Sequence, residues 1–393
     1  MQNDQQQTTT IPFWRDERIL KIIGQITFVV AVLVFFSFIY QNMKAGLARQ
    51  GISLSFSFIK GVSGFDISEK AFEYSRSSTY WQAYLIGLLN TLKVSIVGII
   101  FATILGIILG VARLSTNFII NRLAAAYLEF IRNLAPLVFL IFWYLGVFLK
   151  FPKVQEAIIW PGNIFLSNRG VGIPWGIPTE AYPTFRLILI FGFVLALVVF
   201  FFLRSYGART GRAPMSLLWS LLTFMTVALI GWIFLPQKPL ALDVPMVNGL
   251  RLSGGKILSP EFMALTSGLV LYTSAFIGEV VRAGIQSVSK GQVEASRALG
   301  LNAFQTLRLI VFPQALRVII PPLTSQYLNL IKNSSLAIAV GFPDVFYVTN
   351  TIQNQTGRAV EMIATVMGTY LIFSLITSVL MNWYNQKIRL VER

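Results

Sequence analysis

Lys332, followed by Asn333, Ser334 and Ser335, is the group best suited to meet a polar solute, because it stands deep inside a long apolar run. An ammonium at the centre of a membrane helix costs about 2.5–3.5 kcal/mol on insertion scales, so such a residue faces a cavity or a partner. Two uses stay open: contact with a solute carboxylate, or a structural ion pair or interhelical hydrogen bond. Glu279 and Arg282 lie near the end of another apolar run, at a spacing that pairs them on one helix face. The chain has no His and no Cys, which removes the usual general base, the commonest zinc ligand, thiolate nucleophiles and disulfides. Gly249 to Ile257, GLRLSGGKI, approaches a phosphate loop, but Leu250 occupies the place of the first Gly and Ile257 that of the magnesium-binding Ser or Thr. No catalytic residue, no metal site and no cofactor is therefore assigned to this chain.

These groups are carried by a chain composed for lipid. Of 393 residues, 55% are hydrophobic and 12% charged, with a mean hydropathy of +0.68; ordinary globular chains run at about 45–50% apolar and about 25% charged. A helix needs roughly 20 mostly apolar residues to cross a bilayer. About eight segments meet or approach that, near 20–40, 88–112, 127–149, 187–203, 217–235, 262–285, 318–342 and 364–384. The expected fold class is all-α and polytopic. Arg15, Arg18 and Lys21 precede the first span as they would a signal peptide, but its apolar run continues to Tyr40 and reads as a retained anchor. The polar start, QNDQQQTTT, reads as disordered.

Several residues within this frame have packing readings. Trp14, Trp81, Trp219, Trp232 and Trp383 fall near span ends, as amphipathic rings at a lipid interface do. Gly106 and Gly110 have the GxxxG spacing that lets helices approach closely, most often for packing. Lys93, near the outer end of its span, is placed to snorkel. Pro321 and Pro322, early in the seventh span, are predicted to bend or delay that helix. Residues 150–261 read as an insertion of two spans and two connections, and the connections near 41–83 and 150–186 are long enough for surface helices or a small cap. The net charge of +16 is dispersed among loops and does not gather on one domain, so it implies no nucleic-acid partner.

Between the sixth and seventh spans lies EASRALGLNAFQTLRLIVFP, Glu294 to Pro313. Ser289 and Gln292 have capping-box spacing for a helix start, and Ala295, Ser296 and Ala298 keep that helix thin enough for close approach by another protein. Gly300 follows as a left-handed C-terminal residue, and Asn302 with Gln305 repeats the capping spacing for a second helix ending near Pro313. The spacing of Glu294, Ala295, Ser296, Gly300, Ile310, Phe312 and Pro313 resembles the EAA motif of ABC-importer permeases, with Ser for the second Ala and Phe for Leu. AFIGEVVRAGIQSVSKGQ, PQALRVIIPPL, KNSSLA and GLLNTLKVS resemble the polar amino-acid branch, in particular the general L-amino-acid permeases. Pro136 in RNLAPLVFLIFWY stands one place later than in that pattern.

The resemblance implies a type I permease core over residues 87–384, interrupted by the insertion at about 150–261 and carrying a coupling loop at about 289–313. It is preceded by residues 1–86, an N-terminus, first span and exterior loop, and followed by the tail 385–393. It further implies a bacterial inner-membrane protein that moves amino acids by alternating access. The implied partners are a dimer of ABC ATPase subunits that bind ATP and Mg, a second permease subunit (related or identical), an exterior amino-acid-binding protein and the lipid bilayer. The alternative is an ion-coupled secondary amino-acid transporter, which would show paired repeats and midplane acids.

Eight spans put both termini and the coupling loop on one side. Lys and Arg are modestly denser there, with Arg204, Arg209 and Arg212 in one short connection and Arg113, Arg122 and Arg132 in another, which places that side in the cytoplasm. Reporter fusions after Arg212 and Arg393 should therefore read cytoplasmic and one after Arg358 exterior; an exterior signal at Arg212 breaks the eight-span topology.

Overall fold

The computed structural model describes residues 17–49, 54–210 and 215–388. Trp14, Arg15, Arg212, Arg393 and the polar start lie outside them. The helices are α1 (Glu17–Arg49), α2 (Tyr80–Ala112), α3 (Phe118–Arg132), α4 (Pro136–Phe142), α5 (Tyr182–Thr210), α6 (Ser216–Phe234), α7 (Pro260–Gln286), α8 (Lys290–Ala298), α9 (Ala303–Thr306), α10 (Phe312–Asn333), α11 (Val345–Thr356) and α12 (Ala359–Ile388). Seven helical stretches among the described residues are long and apolar enough to cross a membrane, and an eighth crossing arises if the bent pair α3 and α4 counts as one.

That pair occupies the place of the expected third span, which is not a straight helix. Its two arms, Phe118–Arg132 and Pro136–Lys150, meet at 106°. Asn133 ends the first arm by donating from Nδ2 to Glu129 O at 2.8 Å. Pro136 opens the second at its first turn, where a missing N–H costs nothing. A π-turn (Trp143–Val147) and a 3-10 turn complete that arm.

The core is the packing of α2 on α7, with α10 against α7 and α12, α11 against α2 and α12, and α3 against α7. Gly106 and Gly110 form the seam of the first pair. A Cβ on Gly106 would lie 2.5 Å from Ile277 Cγ2, and one on Gly110 2.7 Å from Gly278 O. The GxxxG stripe is thus spent inside the chain. By contrast α1 is exposed along its whole apolar window, and α5 and α6 pack on one another with most of their surface outward.

Beyond the far ends of the helices, opposite the segment Glu294–Pro313, connecting segments fold over the bundle. Residues 55–79 lay Phe58, Ile67 and Tyr74 onto Ala83 and Ile86 of α2, Val348 and Ile352 of α11 and Met362 of α12. Lys93 does not snorkel freely here: its Nζ lies 3.4 Å from Glu69 Oε2 and 4.1 Å from the centre of the Phe262 ring.

Among the described residues the flanks of α5 and α6 form eight short strands: β1 (Ile158–Trp160), β2 (Ile164–Ser167), β3 (Gly170–Ile173), β4 (Trp175–Pro178), β5 (Leu240–Asp243), β6 (Met246–Asn248), β7 (Arg251–Ser253) and β8 (Lys256–Leu258). They pair antiparallel as β1-β2-β3-β8, β4-β5 and β6-β7. The segment Gly249–Ile257 runs from the β6–β7 turn through β7 into β8, so Lys256 and Ile257, which would open a helix in a phosphate loop, lie in a strand instead. Asp243 Oδ2 accepts the Gly255 N–H at 2.6 Å, filling with a carboxylate the place an anion would need.

Pro321 and Pro322 do not delay α10, which begins at Phe312 and passes through both. They lie on its exposed face, while Ile319 and Ile320 beside them are buried and hold the helix in place.

The seam gives a direct test of which contacts hold the bundle. Gly110→Val should lower the thermal midpoint of the detergent-purified chain by the equivalent of about 1–3 kcal/mol of overpacking, whereas Ile108→Val, on the exposed face of the same helix, should leave it nearly unchanged.

Candidate functional site

The segment expected to form the coupling loop begins where the sequence places it but by a different device. α8 starts at Lys290 with Ser289 as N-cap, yet the Ser289 side chain makes no cap bond, and the Gln292 N–H reaches the Ser289 carbonyl at 3.1 Å. The end of the helix is as the sequence indicates. Gly300 has φ +80°, its N–H donates to Arg297 O at 2.9 Å, and the Leu301 N–H donates to Ser296 O at 3.1 Å. These two bonds close a Schellman motif around a left-handed residue. Asn302 then opens α9 with both halves of a capping box, Gln305 N–H to Asn302 Oδ1 at 2.8 Å and Asn302 N–H to Gln305 Oε1 at 2.9 Å.

Three details differ from the sequence reading. Ser296 is buried and does not thin the approached face: its hydroxyl donates to Val293 O at 2.7 Å and lies 3.0 Å from Thr306 Oγ1, which ties α8 to α9. The second helix does not stop near Pro313. It continues from α9 through a π-turn, Leu307–Val311, into α10, with Pro313 in the first turn of α10 where its missing N–H is tolerated. The apolar anchor is Val311, which is buried, with Ile310 half-buried, whereas Phe312 and Pro313 face outward. Glu294, Ala295 and Gly300 are exposed, and beside them Leu299 is 83% and Phe304 68% exposed. The corner therefore presents an apolar knob between a carboxylate and the basic residues Arg297 and Arg308.

Glu279 and Arg282 pair as expected. Arg282 Nε donates to Glu279 Oε2 at 3.1 Å, and Nη2 bonds Oε1 of the same carboxylate. This fork lies on α7 just before the coupling segment and belongs to the structure of that helix end.

Lys332 lies level with the middle of α2. Leu330 packs on Gly98, halfway along α2, and Ile331 shares an apolar cleft with Ser95. Lys332 itself is exposed, and no ion pair reaches it among the described residues. The ion-pair reading of this residue thus finds no partner among the described residues. Its neighbours are less available than their types suggest. Ser334 is buried and donates to Ile331 O at 2.7 Å, and Ser335 donates to Lys332 O at 2.7 Å. Both hydroxyls satisfy carbonyls at the end of α10, where the chain tightens into a 3-10 turn, Ser334–Ala339. Asn333 is half-buried. Lys332 and Asn333 are thus the members of the quartet with free polar capacity.

Sequence reasoning passed over Asp344, which caps α11 from a fully buried position, and the Asn90 and Thr91 side chains that hold the backbone beside it. The signal was present: an acid after Pro343, directly before a helix. Among the described residues no three acidic side chains converge as a metal site.

The comparisons fit this geometry. The family described as "Binding-protein-dependent transport system inner membrane component" matches residues 102–390, from the middle of α2 to the end of α12. The general L-amino acid transport system permease protein AapQ of Rhizobium johnstonii is 41% identical over 378 residues, covering 96% of this chain and 94% of its own. The putative amino-acid ABC transporter permease protein YhdX of Escherichia coli is 43% identical over 373 residues, covering 94% of each. The glutamate/glutamine/aspartate/asparagine transport system permease protein BztB of Rhodobacter capsulatus is 36% identical over 424 aligned positions, covering 96% of each. With the bundle, the capped corner and a match spanning both, the chain belongs to the family of binding-protein-dependent transport system inner membrane components, as an ABC-importer permease in the group that holds these amino-acid permeases.

Proposed function

We propose that this permease passes amino acids across the bacterial inner membrane by alternating access, driven by ATP that separate subunits hydrolyse. The ion-coupled carrier left open by the sequence loses its ground with the family membership. The observation that carries the proposal is the exposed Schellman corner: α8, Gly300 and α9 protrude as a rigid unit whose apolar tip, Leu299 and Phe304, is uncovered in the single chain. An uncovered apolar tip flanked by charges suits insertion into a groove of a partner protein. The partner is a dimer of ABC ATPase subunits that bind ATP and Mg. A second permease, related or identical, covers the remaining face, and an exterior amino-acid-binding protein delivers substrate to the far side. Both termini and the coupling corner lie in the cytoplasm.

Motion at the corner has a direct route inward, because α9, the π-turn and α10 form one continuous helical path from Asn302 to Asn333. Lys332 ends that path at the membrane centre. Being exposed and unpaired among the described residues, its ammonium is available to a substrate carboxylate or to the second permease, with Asn333 as a neighbouring amide. Alternating access thus couples a docking event at one end of α10 to a charge at the other.

Two substitutions test the two ends. A Cβ at Gly300 has open space around it but a backbone conformation that costs a non-Gly residue about 1–2 kcal/mol. Gly300→Val should leave membrane abundance normal while weakening ATPase recovery in pull-downs and abolishing substrate-stimulated ATP hydrolysis; wild-type coupling would sink the docking assignment. Lys332→Met, in the membrane-inserted complex, should weaken uptake at least tenfold, about the loss of 1.4 kcal/mol of interaction. Unchanged affinity and rate for every carried amino acid would leave Lys332 a purely structural role.

A further inference from the structure

The elbow between α10 and α11 buries a carboxyl that coupling and transport, as described, do not use. Asp344 is 0% exposed. Its Oδ1 accepts the Tyr347 N–H at 2.8 Å from the first turn of α11, and its Oδ2 accepts the Tyr370 hydroxyl at 3.2 Å from α12. The backbone on either side is clamped by α2. Asn90 Nδ2 donates to Pro343 O at 3.0 Å, Thr91 Oγ1 accepts the Val345 N–H at 2.9 Å, and a Cβ at Gly87 would lie 3.0 Å from Asp344 O. The elbow is thus wedged between two helices, with one ionisable group at the centre of the wedge.

Among the described residues no cation forms an ion pair with that group. Its titratable neighbour on α12 is Tyr370, which also neighbours the Ser334 and Ser335 hydroxyls. On α11 itself there is Tyr347, which faces outward. From α2 the nearest charge in sequence is Lys93, committed to Glu69 of the overlying segment and to the Phe262 ring of α7. On α10 there is Lys332, which is exposed. None forms an ion pair with Asp344 among the described residues. Ionised, Asp344 would be a buried charge held only by N–H groups at a helix start and one phenol. Protonated, it still accepts from the Tyr347 N–H and the Tyr370 hydroxyl and no longer carries the cost of a buried charge.

We propose that Asp344 is a proton-sensitive latch: its neutral form keeps the α10–α11 elbow docked between α2 and α12, and its ionisation loosens the elbow. Burial pushes its carboxyl up from 3.8 to about 7, against the lowering effect of the Tyr347 and Phe346 N–H groups and of Tyr370. The sign follows from linkage. Between 3.8 and about 7 the docked form holds a proton that an opened, solvated form releases, so docking weakens as pH rises through that window and levels off above it. Because the elbow follows directly on Lys332, its looseness bears on the helix that joins the coupling corner to the membrane centre.

Hydrogen–deuterium exchange of the α11 amides tests the latch in the full chain, membrane-inserted with its co-purifying partners and corrected for intrinsic exchange rates. Opening in the wild type should rise by up to about tenfold per pH unit from pH 5 to 7 and flatten by pH 8. Asp344→Asn retains the cap acceptor and the Tyr370 partner but does not titrate, so its exchange should be pH-independent. Tyr370→Phe removes a donor to the charged form and should move the plateau to higher pH. Wild-type protection that is flat from pH 5 to 8 overturns the proposal even if neither variant folds, as does an Asp344→Asn variant that keeps the wild-type profile.

Discussion

The close approach of α2 and α7 is the constraint on which the rest of the bundle depends. Two glycines one turn apart let Ile277, Gly278 and Val281 sit where side chains would otherwise stand. In lipid there is no hydrophobic gain from bringing two apolar helices together, so van der Waals contact along such a seam does the holding. The candidate site is hung on that pair. α7 runs straight into the α8–α9 corner, α2 clamps the elbow after α10 through Asn90 and Thr91, and α10 lies against α7 through Gly284 and Ile319. The α2–α7 pair is thus the frame on which α10 and α11 are packed.

The parts legible in the sequence are those governed by neighbours along the chain. Gly300 and the Asn302–Gln305 box could be read because a left-handed residue and a capping box each need only a few consecutive positions, and the Glu279–Arg282 fork needs only one helical turn. The membrane helices were legible because apolar length alone defines them. The α3–α4 bend sits beside Pro136, so the proline was a usable signal whose magnitude, a near right-angle turn, was not.

What escaped reading depends on partners far away in sequence. Ser296 is a small residue whose direction is set by Thr306 across the corner, so its type suggested a thin outer face while its place is inside. Lys93 finds Glu69 and Phe262 from two different segments. Asp344 finds Tyr370 across two helices. The strands are three or four residues each, too short for an alternation to register, and β3 and β5 find their partners only because the intervening helices return the chain to the same end of the bundle.

That return has a consequence for how such a chain changes over generations. Pro178 and Leu240 stand opposite one another in the β4–β5 ribbon, and the Thr179 N–H meets Pro239 O at 3.1 Å, so the α5–α6 hairpin leaves and rejoins the fold at adjacent points. α5 and α6 pack on one another and make little contact with the bundle. A two-helix excursion closed at its base in this way is a cassette: it can be lengthened, exchanged or removed, with a tight turn sealing the ribbon, while the α2–α7 seam and the path from the corner to Lys332 stay as they are. Variation in the outer parts of this permease can therefore proceed independently of the machinery that drives it.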